Sequence, residues 1–140
     1  LLFTANPGHG AQPLAKVASG GEISRVMLAV KTVLAKDSPV PTMVFDEIDT
    51  GISGVVAGQV ADRLRAVARF QQVICITHLP AIAAAGGAHF RVAKNTVKGR
   101  ATVSMAPVTG DARLEEVAAL FAPRVTDASR AAARELIARQ

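Results

Sequence analysis

Apolar positions along this chain follow two different periods, and the switch between them orders the sequence. In "EISRVMLAVKTVLAK", Ile23, Val26, Met27, Val30, Val33 and Leu34 recur at three- and four-residue spacing. That spacing predicts an amphipathic helix, entered through Ser19-Gly20-Gly21 and ended near "DSP". "TMVF" is instead a short continuous apolar run, expected as a buried parallel strand. Ser53 is placed to cap a second helix, whose apolar stripe is Val56, Val60, Leu64 and Val67. "QVICIT", rich in β-branched residues, predicts a second buried strand, and "LPAIAAA" a helix with Pro80 one place inside it. Strand, helix, strand, helix in that order implies a right-handed parallel crossover and an α/β fold with functional groups at the carboxyl ends of the strands.

The flanks have another texture. "LLFTAN" is expected as a strand and "PGHGAQP" as turn material. Beyond Gly87, "HFRVAKN" and "ATVSMAPV" alternate around "TVKG", predicting a β-hairpin at a sheet edge, where its charges protect it. "RLEEVAALFA" and "TDASRAAARELIARQ" predict two more helices, separated at Pro123. No linker marks a second domain, so residues 1–140 are read as one.

Composition narrows the function. With 140 residues and 50% hydrophobic content, one compact core is expected. The chain opens on Leu1 with no basic leader and no membrane-length apolar run, and is read as a soluble piece of something larger. Cys75, the single cysteine, excludes an internal disulfide and is expected as a small core residue in a reducing compartment. A net charge of +5 favours anionic partners, either nucleotide phosphates or nucleic acid. With no Trp, no Tyr and five scattered Phe, a stacking platform for single-stranded bases has little to be built from.

Three stretches carry candidate chemistry: "ASGGE" at 18–22, "MVFDE" at 43–47 and "ITH" at 76–78. Ser19, Gly20 and Gly21 before a helix offer a hydroxyl and unobstructed N–H groups at the positive end of the helix dipole, although an ordinary serine cap has the same sequence. A strand ending in Asp46-Glu47 fits a magnesium-dependent phosphohydrolase: the aspartate associates with the ion and the glutamate orients the attacking water. The alternative for the dipeptide is a solvated acidic loop. His78, after the next strand, is placed to reach a terminal phosphate, although a lone histidine is more often structural.

In combination, "ASGGEISRVMLAVK", "MVFDEIDTGISG" and "QVICITHLPAIAA" resemble the signature, Walker B with D-loop, and switch-histidine segments of SMC-like ABC ATPases, most closely those of bacterial DNA double-strand-break repair. The resemblance covers most of residues 1–90, with no diagnostic motif beyond. It implies the C-terminal lobe of an ABC-type ATPase head: parallel strands with flanking helices plus a β-hairpin. Ser19, Gly20 and Gly21 would touch the γ-phosphate of an ATP held by a second head, with Glu22 completing the signature. Asp46 would be the Mg²⁺-associated aspartate, Glu47 the general base, Asp49 the D-loop residue at the dimer interface and His78 the switch histidine. Ala18 and Glu22 depart from the Leu and Gln of the commonest ABC signature, which shifts the subfamily more than the function.

A complete site also needs the G-x-x-x-x-G-K-[ST] phosphate loop, and no Gly-Lys pair occurs in the chain. The expectation is therefore half a site. Its phosphate-loop lobe would come from elsewhere in the same protein, beyond a coiled coil preceding Leu1, and a second head would complete a homodimer. ATP and Mg²⁺ are the implied ligands, double-stranded DNA or DNA ends the implied partner, and the bacterial cytoplasm and nucleoid the implied location. Two rivals stand beside this reading. One is a non-enzymatic nucleic-acid or partner-binding module using Arg91, Lys94, Lys98 and Arg100 of the hairpin, for which a charge-protected edge strand is the bland alternative. The other is a two-metal nuclease or phosphatase built on Asp46, Glu47 and Asp49.

Overall fold

The computed structural model describes residues 2–4, 10, 12–13, 19–97 and 100–139. Most of "PGHGAQP", together with Ala18 and Lys98, lies outside the described residues. The chain divides into two compact units, Leu1–Thr77 and His78–Gln140.

The first unit opens with a short antiparallel pair, β1 (Leu2–Phe3) and β2 (Gln12–Pro13). Helix α1 (Gly20–Leu34) follows, tightened at its end by a 3-10 turn over Ala35–Asp37. Then come β3 (Thr42–Phe45), α2 (Gly54–Ala68) and β4 (Gln72–Cys75). Strands β3 and β4 pair in parallel, Thr42 opposite Gln72 through Phe45 opposite Cys75, as the strand–helix–strand order predicts. One side of this pair is covered. Met43 and Phe45 are buried with Leu28 of α1 and with Ala57, Val60, Ala61, Leu64 and Val67 of α2, so the helical stripes lie where the spacing puts them.

The other side differs from expectation. Val44 is 63% exposed, its register partner Ile74 47%, and Ile76 57%. Alternate residues of a strand point to opposite faces, so the apolar runs read as buried on both faces are here covered on one. Ser53 occupies the N-cap position of α2 as expected, but its side chain makes no capping hydrogen bond.

The second unit contains α3 (Pro80–Ala85), the hairpin β5 (Phe90–Val97) and β6 (Arg100–Pro107), and helices α4 (Gly110–Ala119) and α5 (Asp127–Ala138). Its core joins Ala84, Val117, Ala118 and Ala133, with Leu114, Val125, Leu136 and Ile137 packed around them. Three of these four buried positions are alanine, which lets the helices approach closely. Arg130 Nε donates to Glu115 Oε1 at 2.7 Å, tying α5 to α4. Thr126 caps α5 in a reciprocal pair with Ser129. The hairpin is two-faced. Register places Val92 with Met105 and Lys94 with Val103 on one exposed face; Asn95, Thr102 and Ser104 bond to each other and to the backbone on the opposite one.

No helix among the described residues is long and apolar enough to cross a membrane.

Candidate functional site

The carboxyl end of β3 delivers the chain into a tight acidic loop. Asp46 Oδ1 accepts the N–H of Glu47 at 2.9 Å, and Thr50 N donates to Glu47 O at 3.0 Å, closing a turn. Glu47 has φ +57°, the one positive value for a non-glycine residue among those described, followed by Gly51 at +73°. A left-handed glutamate is strained, and such positions persist where their surroundings fix them. The loop alternates in exposure: Asp46 and Glu47 face outward, while Ile48 is fully buried and Asp49 is 4% exposed. Asp49 Oδ2 accepts a 2.6 Å hydrogen bond from Thr77 Oγ1, which satisfies part of a buried carboxylate. Beside these carboxylates Cys75 is pushed up to about 11, first by burial and then by the charges of Asp49 and Asp46, so it is a thiol at neutral pH.

Helix α1 starts against this loop. Ser19 caps it in a reciprocal arrangement with Glu22: Ser19 N and Oγ donate to Glu22 Oε2 at 2.8 and 2.9 Å, and Glu22 N donates to Ser19 Oγ at 3.3 Å. These bonds, the backbone one first, hold the Glu22 carboxyl below its ordinary range. A Cβ added to Gly20 would lie 2.6 Å from Glu47 Oε2, and one on Gly21 would lie 2.7 Å from Thr50 O and 3.0 Å from Glu47 O. Gly21, which faces backbone, is therefore required by close approach, whereas Gly20 faces the movable end of the Glu47 side chain.

Ser19, Gly20, Gly21, Glu22, Asp46, Glu47 and Asp49 thus belong to one unit, with the Ser-Gly-Gly start and the acidic loop in contact. His78 directly follows Thr77 and is the first residue of the second unit. Among the described residues no group of three or more His, Cys, Asp or Glu is placed to hold a metal, which leaves the two-metal cluster without its ligand set. The hairpin's Arg91 pairs with Glu116 at 3.2 Å, so one member of the proposed phosphate-tracking patch is already engaged.

Two residues that the spacing argument passed over join the site. Ser24 Oγ donates to Asp46 O at 3.2 Å, and Arg25 Nη1 donates to Ile48 O at 3.1 Å and Thr50 O at 2.8 Å. The available signal was position: Arg25 lies four residues after Gly21, hence on the same face of α1 as the glycine that meets the loop.

No family model matches the chain. Curated proteins do. It is 48% identical over 138 residues to the DNA repair protein RecN of Deinococcus radiodurans, covering 99% of this chain and 24% of that protein. It is 50% identical over 138 residues to RecN of Treponema pallidum and 41% to RecN of Bacillus subtilis, in each case covering 98% of this chain and 24% of the relative. The chain therefore spans about a quarter of the length of the relatives it matches. A solved structure, from work on ATP-driven dimerization and DNA-stimulated activation of SMC ATPases, matches with a TM-score of 0.55 at 19% identity, covering 88% of this chain and 81% of that one. At that identity the match speaks to the α/β fold alone. On its sequence the chain belongs to the RecN proteins, as a segment of their length.

Proposed function

We propose that this segment is the C-terminal lobe of an SMC-like ABC ATPase head that binds and hydrolyses ATP across a dimer of heads, in the repair of DNA double-strand breaks and in recombination. The observation that carries this reading is the contact between the Ser-Gly-Gly start of α1 and the Asp46-Glu47 loop, with Gly20 against the Glu47 carboxylate. The bare apolar face of Val44, Ile74 and Ile76 supports a further lobe, the one bearing the phosphate loop, completing the sheet.

Mg²⁺ keeps several waters and is held by one or two carboxylates plus substrate phosphates rather than by an all-protein cage. Asp46, exposed at a strand end and engaged through one oxygen with the Glu47 N–H, fits that role. When bound, the ion would neutralise phosphate charge. Glu47, exposed beside it, takes the proton of the attacking water. The N–H groups of α1's first turn and the Ser19 hydroxyl meet the terminal phosphate held by the opposite head, where the helix dipole favours negative charge. Asp49 orders the loop at the head-to-head interface, and His78 takes the part of the switch histidine, a donor to a terminal phosphate. ATP then acts as a clamp, released by hydrolysis. DNA, double-stranded or ended, is the substrate on which the clamp would work, in the bacterial nucleoid.

The test is Mg·ATP turnover and sedimentation of the full-length protein with Glu47 and with Glu47→Gln. Retained ATP binding, a turnover loss of about a hundredfold or more and a dimer trapped by ATP are expected. Undiminished turnover in the variant would overturn the reading.

A further inference from the structure

The geometry points to Arg25, with Ser24 beside it, as the positioning residue that ties the start of α1 to the general base. This rests on the ATPase reading above and adds a residue to its machinery.

Consecutive side chains of α1 hold three carbonyls of the five-residue loop 46–50. Ser24 Oγ takes Asp46 O, and the two hydrogens of Arg25 Nη1 take Ile48 O and Thr50 O. Those carbonyls bracket Glu47, whose left-handed backbone needs outside constraint. Arg25 supplies that constraint through a guanidinium, and charge-assisted bonds to carbonyls are stronger than neutral ones. Gly21 makes the reach possible. A Cβ there would stand 2.9 Å from Arg25 Nη1 and 2.7 Å from the Thr50 oxygen that the guanidinium holds. Glycine at 21 and arginine at 25 therefore form one device: the first clears the path and the second crosses it.

The consequence concerns two nucleotides at once. In the proposed dimer the start of α1 meets the nucleotide of the opposite head, whereas Glu47 serves the nucleotide of its own. A displacement of α1's first turns by the opposite phosphate passes through Ser24 and Arg25 to the Glu47 backbone, and so sets the aim of the carboxylate. Arg25 touches neither nucleotide. Its loss should impair the chemical step more than binding.

The experiment uses the full-length protein with Arg25→Met, which keeps a long stem and removes the donors, and Arg25→Lys, which keeps a cation. Expected for Arg25→Met is a fall in kcat of about tenfold or more with KM for ATP within about twofold, the pattern of a lost transition-state arrangement. Arg25→Lys should recover part of kcat. A parallel Glu47→Gln variant separates the two failures. Turnover lost in Glu47→Gln but unchanged in Arg25→Met overturns the Arg25 role alone; turnover unchanged in both overturns the ATPase reading itself. A rise in KM with kcat preserved also counts against Arg25. If Arg25→Met does not fold, Ser24→Ala and Arg25→Lys decide the matter by the same split, and unchanged kcat in both rejects the proposal.

Discussion

Gly20 and Glu47 are in contact so close that a single methyl on the glycine would lie 2.6 Å from the glutamate's Oε2. The atom in the way is the far end of a flexible side chain, which can swing aside. Gly20→Ala should therefore leave stability nearly unchanged, since alanine also favours the helix, while turnover of the full-length protein falls because Glu47 is re-aimed. Gly21→Ala meets backbone instead, Thr50 O at 2.7 Å and Glu47 O at 3.0 Å. It should cost about 1–3 kcal/mol as an overpacked position. Paired urea denaturation and turnover measurements separate the two, and equal destabilisation by both substitutions would show that the contacts are not as described.

Thr77 donates to Asp49, a carboxylate that is 4% exposed. Removing one donor from a buried acceptor costs more than the mean hydrogen bond. Thr77→Val should lower stability by about 1–3 kcal/mol, and Thr77→Ser should restore most of it. Chemical denaturation of the three proteins tests this, and a valine variant as stable as wild type would assign Asp49's ordering to other contacts.

Sequence pattern disclosed the elements, and many of the residues that meet in the candidate site, for reasons that are visible at particular residues. Leu28, Val60, Leu64 and Val67 are buried because helical spacing aligns them, and the β3–α2–β4 crossover follows from the order of runs. Ser19, Gly20, Gly21 and the Asp46–Asp49 carboxylates were legible because their chemistry is in their side chains, or in the lack of one. Arg25 and Ser24 were not. They act on backbone carbonyls: the four-residue step from Gly21 to Arg25 gives the shared helix face but not the acceptor, and polar positions on an amphipathic helix default to solvent. The positive φ of Glu47 was equally silent, because glycine rather than glutamate signals such a conformation. Val44, Ile74 and Ile76 misled in the opposite direction: a continuous apolar run implies two covered faces, whatever supplies the cover.

Arg113 anchors the end of a six-residue helix. Its Nη2 donates to Ala84 O at 2.9 Å and Gly86 O at 2.6 Å, carbonyls that the short α3 cannot satisfy itself. Arg113→Met should destabilise the protein by about 1.5–3 kcal/mol, as loss of a charged donor does. The same change reports on His89, which is held below 6.5 by burial and then by the Arg113 charge. Removing the cation should raise the His89 titration midpoint, followed by the ring C–H resonance, and a midpoint unchanged or lowered would contradict the arrangement.

Glu22 makes the first turn of α1 sensitive to acid. Its carboxyl is held below 4.5 by the Ser19 N–H and then by the Ser19 hydroxyl, so the folded protein binds this proton less readily than the unfolded chain. The sign follows: the cap contributes fully above the ordinary glutamate value and is lost as pH falls through the lowered one. Glu22→Gln keeps an oxygen to accept the Ser19 N–H but has no charge to lose. Glu115, lowered by its bond from Arg130, titrates in the same acid range, but it is present in both proteins and cancels in the comparison. Thermal unfolding from neutral to acid pH should show the Glu22→Gln protein losing Tm less steeply than wild type below about pH 4.5. Parallel slopes would mean that Glu22 is as solvated in the folded protein as in the unfolded one, and that the Ser19 hydroxyl is already free for a phosphate.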